Sequence, residues 1–220
     1  MISPMENTVY FLPNSDARQS QIYFYIPMGD YNREENVRRE AFNQYISGGF
    51  SGLIMNEIRE KNSMAYTAYG FASSRGLPGA QTYFSGYIGT QNDKAVDAID
   101  LYMKLLTDMP ERPGRIDNIK SYLRQSALTD HPDSRNLSLR IAEWKRRGYT
   151  DDPAKEELPL IDSLTFPDIV DYYQKNIKGK PIIIGVLGNP KDISIDALKK
   201  FGKVIRLNEK KLFNEKDTMF

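Results

Sequence analysis

Histidine and cysteine do much of the metal, nucleophilic and proton-transfer chemistry of proteins near neutral pH. This chain of 220 residues has one histidine, His131, and no cysteine. Disulfides, thiolate metal sites and cysteine nucleophiles are therefore excluded together, while the redox compartment stays open. His131 lies between Asp130 and Pro132, with Asp133 next. Three ligands packed into a proline-containing turn do not easily converge on a metal ion, so His131 reads as a loop histidine. Gly48 and Gly49 precede a helix and offer free N–H groups of the kind that hold phosphate. The Lys and Ser/Thr of a nucleotide loop are missing, so a helix-entry turn is the better reading. Glu156 and Glu157 are adjacent, precede Pro159 and show no acid/base partner. Arg135, Arg140, Lys145, Arg146 and Arg147 are diluted by Asp133, Glu143 and Asp151, which favours a solvated helix face over a nucleic-acid surface. Trp144, at helical spacing from Leu137 and Ile141, reads as a core anchor.

The elements that must position any site follow from periodicity. Residues 8 to 12 and 20 to 27 read as a first strand pair, with Ile22, Phe24 and Ile26 alternating against Tyr23 and Tyr25. A helix is expected from about Arg33 to Ile46, then a Ser-Gly-Gly break, then a second helix starting near Phe50 with Leu53, Ile54 and Ile58 on one stripe. Residues 65 to 74 and 81 to 90 read as two antiparallel strands across Arg-Gly-Leu-Pro-Gly. Asn92 or Asp93 is expected to cap a helix ending near Met109, followed by helices near 114 to 129, 134 to 147 and 167 to 176. An apolar strand at 182 to 187, a short helix near 194 to 201 and a strand near 203 to 207 complete the order. The fold class is α+β, helices layered on a largely antiparallel sheet. Residues 1–207 are expected to form a single domain and 208–220 a charged tail.

Apolar residues are 40% and charged residues 27% of the chain, with 30 Lys and Arg against 29 Asp and Glu. That balance gives no broad field for nucleic acid or an anionic membrane. The first residues show no basic segment followed by an apolar core, and no apolar run approaches ~20 residues, so neither a signal peptide nor a membrane span is expected here.

The segment GGFSGLIMNEIREKNSMAY, residues 48 to 66, resembles the Gly-rich turn, helix and strand entry of the insulinase (pitrilysin) family of zinc metallopeptidases. The resemblance continues through FSGYIGTQNDKAVDAI at 84 to 99 and LTFPDIVDYYQKNI at 164 to 177, followed by PIIIGVLGNP. It implies a metallohydrolase-like fold, similar also to mitochondrial processing peptidase subunits, in which domains of this size pair as two halves around a chamber. The family's catalytic domain carries His-x-x-Glu-His, two zinc-binding imidazoles and a general base. One histidine cannot supply two imidazoles, so the resemblance is to the non-catalytic half.

That half is expected to be inactive alone and to bind no cofactor of its own. Zinc is expected in a partner, a catalytic domain or subunit of the same family, and the ligand is expected to be a peptide substrate, with no nucleic acid or membrane partner. In many of these peptidases the half supplies an Arg and, seven residues later, a Tyr that reach the substrate; Arg59 and Tyr66 have that spacing. The plainer reading makes Arg59 part of an exposed Arg-Glu-Lys run and Tyr66 one of 14 tyrosines. The resemblance also suggests capture of an extended peptide at a sheet edge. The alternative function is a non-enzymatic scaffold or assembly subunit with the same fold.

Overall fold

The computed structural model describes residues 4–130 and 132–208. Strands β1 (Thr8–Pro13), β2 (Gln19–Asp30), β3 (Thr67–Ser73), β4 (Gln81–Gln91), β5 (Ile183–Gly188) and β6 (Lys203–Arg206) form one sheet, in the order β3-β4-β2-β5-β1-β6. β2 runs antiparallel to both β4 and β5, and β3 antiparallel to β4. β1 runs parallel to β5 and β6, so the sheet is mixed. The first two strands are not paired with each other: β5 lies between them, which local alternation cannot reveal because pairing across the whole chain leaves no turn signature.

Along β2, Ile22, Phe24, Ile26 and Met28 are buried while the intervening tyrosines are not, the period-two signature of a sheet covered on one face. The cover is a helical layer: α1 (Asn36–Ser47), α2 (Ala95–Thr107), α3 (Ile116–Thr129), α4 (Leu137–Arg146), α5 (Pro153–Ser163), α6 (Phe166–Asn176) and α7 (Ile195–Leu198). Phe24 stacks on Tyr102 of α2 with ring centres 4.0 Å apart, and Phe42 of α1 meets Phe84 of β4 edge-on at 6.4 Å. Gly70 and Gly86 face each other across β3 and β4. A Cβ on either would collide with the Tyr102 hydroxyl, so the glycine pair forms the slot into which that ring tip enters to donate to the Tyr69 carbonyl at 2.9 Å.

Several further expectations need correction. The second helix does not begin as an α-helix at Phe50: a 3-10 turn at Gly49–Ser51 leads into a π-helical segment, Met55–Lys61. Trp144 is no core anchor, because α4 has no buried residue. Helix α5 went unpredicted because Pro159 sits inside it, and interior proline usually breaks a helix. Its start is ordinary: the Asp152 carboxylate accepts from the Ala154 N–H at 2.9 Å, with Pro153 at the first position.

Asn92 also differs from expectation. Rather than capping α2, its buried side chain accepts from the Ser20 hydroxyl at 2.7 Å and donates to the Ala17 carbonyl at 2.8 Å. It thus ties the start of β2 to the end of β4. The tail beyond residue 208 and His131 lie outside the described residues.

Candidate functional site

Arg59 sits on the π-helical segment. Leu53, Ile54 and Ile58 are fully buried and hold the segment against the sheet, while Asn56, Glu57, Arg59 and Glu60 project away from that stripe. Glu57 is engaged by both Lys61 and Arg112, and the Asn62 side chain donates to the Glu57 carbonyl at 2.7 Å. Arg59 is freer: its side chain is 45% exposed and its Nε lies 3.7 Å from Glu60. Such an ion pair contributes little, since side-chain entropy and solvent offset the attraction.

The segment ends in a tight reversal. Ser63 is the one non-glycine residue at positive φ among the described residues, at 49°. There its N–H donates to the Arg59 carbonyl and the Met64 N–H to the Ile58 carbonyl, each at 2.9 Å. These bonds satisfy terminal carbonyls as a C-cap does, with each reach one residue longer than in the α-helical form because the π turn is wider. The chain then enters β3: Thr90 donates its hydroxyl to the Met64 carbonyl, and the Tyr66 N–H donates to the Gly89 carbonyl at 2.9 Å. The backbone of Tyr66 is fixed while its ring is 56% exposed, and its hydroxyl accepts from the Gln91 amide at 3.3 Å.

Arg59 and Tyr66 line one open cleft of about 430 Å³, together with Ser63, Thr90, Gln91 and Lys94. Lys94 donates to the Ser63 carbonyl at 3.4 Å, and Glu60 supplies the cleft's carboxylate. Two cations, a phenol and an amide against one carboxylate make a surface of hydrogen-bond donors suited to carbonyl or carboxylate oxygens. Gln91 and Lys94 were not singled out from sequence. They arrive from the β4–α2 junction, and only the β3–β4 register brings them beside Tyr66.

The other sequence candidates go elsewhere. Glu156 pairs with Arg33 at 3.2 Å, and Glu157 accepts from Asn36 and from the Tyr149 hydroxyl at 2.7 Å each, so both brace helix packing. Burial and the Glu157 contact push the Tyr149 phenol far above its ordinary range. Arg140 is held by Asp130 and Glu143, and Arg147 by Glu143. Gly49, at a φ of 58°, serves a turn. Among the described residues no group of three His, Cys, Asp or Glu is placed to hold a metal ion, so the donor set here does not fit zinc. No helix among them is long and apolar enough to cross a membrane.

The edge of β3 is not bare. Asn43 of α1 accepts from the Ala72 N–H at 2.7 Å and donates to the Ala72 carbonyl at 3.0 Å, and the Ser47 hydroxyl accepts from the Gly70 N–H at 2.8 Å. Helix α1 thus supplies through side chains what a further strand would supply through its backbone, and strand addition along the middle of β3 is blocked there.

Comparison with known proteins fits this description. The profile of the family described as "Peptidase M16 inactive domain" matches residues 4–114. A crystal structure of a peptidase M16 inactive domain from Pseudomonas fluorescens superposes with a TM-score of 0.71 at 16% identity, over 86% of this chain and 45% of that one. A protease from Helicobacter pylori gives 0.65 at 12% identity, over 83% and 45%. The periplasmic protease PqqL from Escherichia coli gives 0.63 at 15% identity, over 84% and 21%. At these identities the structures speak for the fold, and this chain spans less than half the length of each. No curated protein matches the chain. The profile covers half of the sequence and meets the fold and the motif at residues 48 to 66, and on that ground the chain belongs to the peptidase M16 family, the insulinase type, as its inactive domain.

Proposed function

We propose that this chain is the accessory, substrate-contacting half of a zinc-dependent endopeptidase, and that Arg59 and Tyr66 are its donors to the substrate. One observation carries the reading: in a domain of this family, the two residues stand at the rim of one open, donor-rich cleft. Attack on a peptide carbonyl places negative charge on its oxygen, and a phenol and a guanidinium are groups able to meet it. Closure of a partner half over the cleft would exclude water and strengthen both contacts. Zinc and the His-x-x-Glu-His motif would belong to that partner, since the one histidine of this chain cannot supply two imidazoles.

The test is cleavage of a quenched fluorescent peptide library by the His-x-x-Glu-His half, with and without this chain. Stimulation is expected, and Tyr66→Phe in the assembled enzyme should reduce the rate by about 10²-fold, the usual scale for loss of one such donor. A rate within about twofold of wild type would remove Tyr66 from the role. Complex formation without stimulation would point to the scaffold alternative.

A further inference from the structure

A second cleft, of about 130 Å³, opens where the end of β2 meets the start of α1 and the end of α6. One of its walls is an irregularity in the sheet. Between Pro27 and Asp30 the β2–β4 register slips by one residue, so that Met28 and Gly29 together stand opposite Thr82, whose hydroxyl donates to the Gly29 carbonyl at 2.6 Å. Bulges of this kind bend a strand and recur beside functional sites. Each helical element contributes one face. Glu35 and Arg39 lie four residues apart, and Lys175 and Asn176 lie three and four residues after Tyr172. Glu35 and Lys175 pair with each other, which joins the two elements at the cleft.

Two groups here carry hydrogen-bonding capacity that the fold leaves unused. Tyr172 is 4% exposed, yet its hydroxyl has no hydrogen-bond partner among the described residues. Among those residues the fully enclosed side-chain polar atom without a partner is the Arg147 Nε, so the Tyr172 hydroxyl opens onto the cleft that its side chain lines. Burial holds that phenol above its ordinary range, and at neutral pH it is a donor. The Arg39 side chain is 14% exposed, and its Nη2 donates to Asn36 at 2.5 Å and to Glu40 at 2.8 Å. Its Nη1 and Nε protons remain without partners among the described residues.

A phenol and a guanidinium on one wall are donors suited to a carboxylate. The charges around them narrow the choice further. Arg39 and Lys175 are matched by Glu35 and Asp30 in the same lining, so no net field draws a simple anion into the cleft. Asp30 is exposed and makes no ion pair among the described residues, which leaves a carboxylate able to take a cation. A ligand with both charges answers both sides. We propose that this cleft binds a small free α-amino acid, its carboxylate on Tyr172 and Arg39 and its ammonium at Asp30. The size agrees: a cavity of about 150 Å³ holds a six-carbon ring, so the 130 Å³ here suits about six heavy atoms, the size of alanine.

This inference does not rest on the peptidase reading, and its test requires no catalytic partner. Heteronuclear NMR spectra of the full chain, titrated with L-alanine, should show saturable shifts with a dissociation constant on the order of 1 mM, the scale open to so small a ligand. Acetate lacks the ammonium and L-alaninamide lacks the carboxylate, and each should bind at least about tenfold more weakly. Tyr172→Phe keeps the ring and removes the donor, and Asp30→Asn removes the charge at an exposed position. Both variants should weaken alanine by about tenfold or more. No saturable shift up to about 20 mM alanine overturns the proposal. Acetate binding as tightly as alanine also overturns it, by making the cleft a plain carboxylate site. So does alanine binding that is unchanged by Asp30→Asn or by a folded Tyr172→Phe, which would place the ligand elsewhere.

Discussion

Tyr102 shows how far one side chain is specified by residues that have no side chain. Its hydroxyl occupies the slot left by Gly70 and Gly86, and burial drives its phenol well above its ordinary pKa, so it stays a neutral donor to the Tyr69 carbonyl. Gly86→Ala should lower stability by about 1–3 kcal/mol, the usual cost of overpacking, in chemical denaturation. In a Tyr102→Phe background the same substitution should cost measurably less, because the atom it meets is gone; an equal cost would place the clash elsewhere. Tyr66 is the contrasting case. Its ring is exposed, so Tyr66→Phe should leave stability within about 0.5 kcal/mol of wild type, which separates any loss of rate from loss of fold. Arg59 and Tyr66 could be named as candidates from the sequence because they lie within one contiguous motif. Gln91 and Lys94 were not, because their place in the cleft is a matter of strand register, and register has no local signature here.

At the scale of elements, the amphipathic segments were read well, and the misses have physical causes. Helices α1, α2, α3 and α6 each carry a buried stripe that sequence periodicity exposes. Helix α5 hid behind Pro159, and the π-helical segment resembles an α-helix in composition, differing only in how its carbonyls are satisfied. The start of α6 carries a pH dependence. Asp168 accepts from the Thr165 N–H at 2.9 Å and from its hydroxyl at 2.6 Å, and pairs with Arg38 at 2.9 Å. Burial opposes ionisation, but the Thr165 bonds and Arg38 outweigh it and hold the carboxyl below the usual carboxylate range. A group lowered in the folded state stabilises above its unfolded pKa, about 4, and that contribution is lost as pH falls through the folded value. Asp168→Ala should therefore cost about 1 kcal/mol at pH 7, with the gap to wild type closing as the solution is acidified below about pH 4. Parallel urea titrations at the two pH values check it, and a gap that persists in acid would refute the assignment.

For the whole molecule, layered helices over a sheet followed from the order of elements, whereas the mixed topology did not. No alternation pattern announces that β5 pairs with β1 in parallel and with β2 antiparallel. Nor does it announce that the β3 edge is shielded by Asn43 and Ser47. Asn43→Ala with Ser47→Ala would leave the Gly70 and Ala72 N–H groups and the Ala72 carbonyl without these partners. Each lost bond is worth about 1 kcal/mol net, and the uncovered edge becomes a template for pairing. The double variant should lose about 2 kcal/mol or more in denaturant and aggregate faster on warming, followed by turbidity. Unchanged turbidity would mean that the helix shields the edge by bulk rather than by hydrogen bonding.

The position of β5 also has a consequence for how the protein is made. Its pairing with β1 begins where the Ile182 N–H donates to the Asn7 side chain, 175 residues apart in sequence. On the ribosome, β2, β3 and β4 emerge early with one side of β2 unpaired, and β1 has no neighbour until residues 183–188 leave the tunnel. One interior strand of the sheet is thus synthesised after both of the strands that flank it. A nascent chain arrested before it would present two apolar strands with open edges, a substrate for chaperones, and the sheet closes only once β5 has emerged.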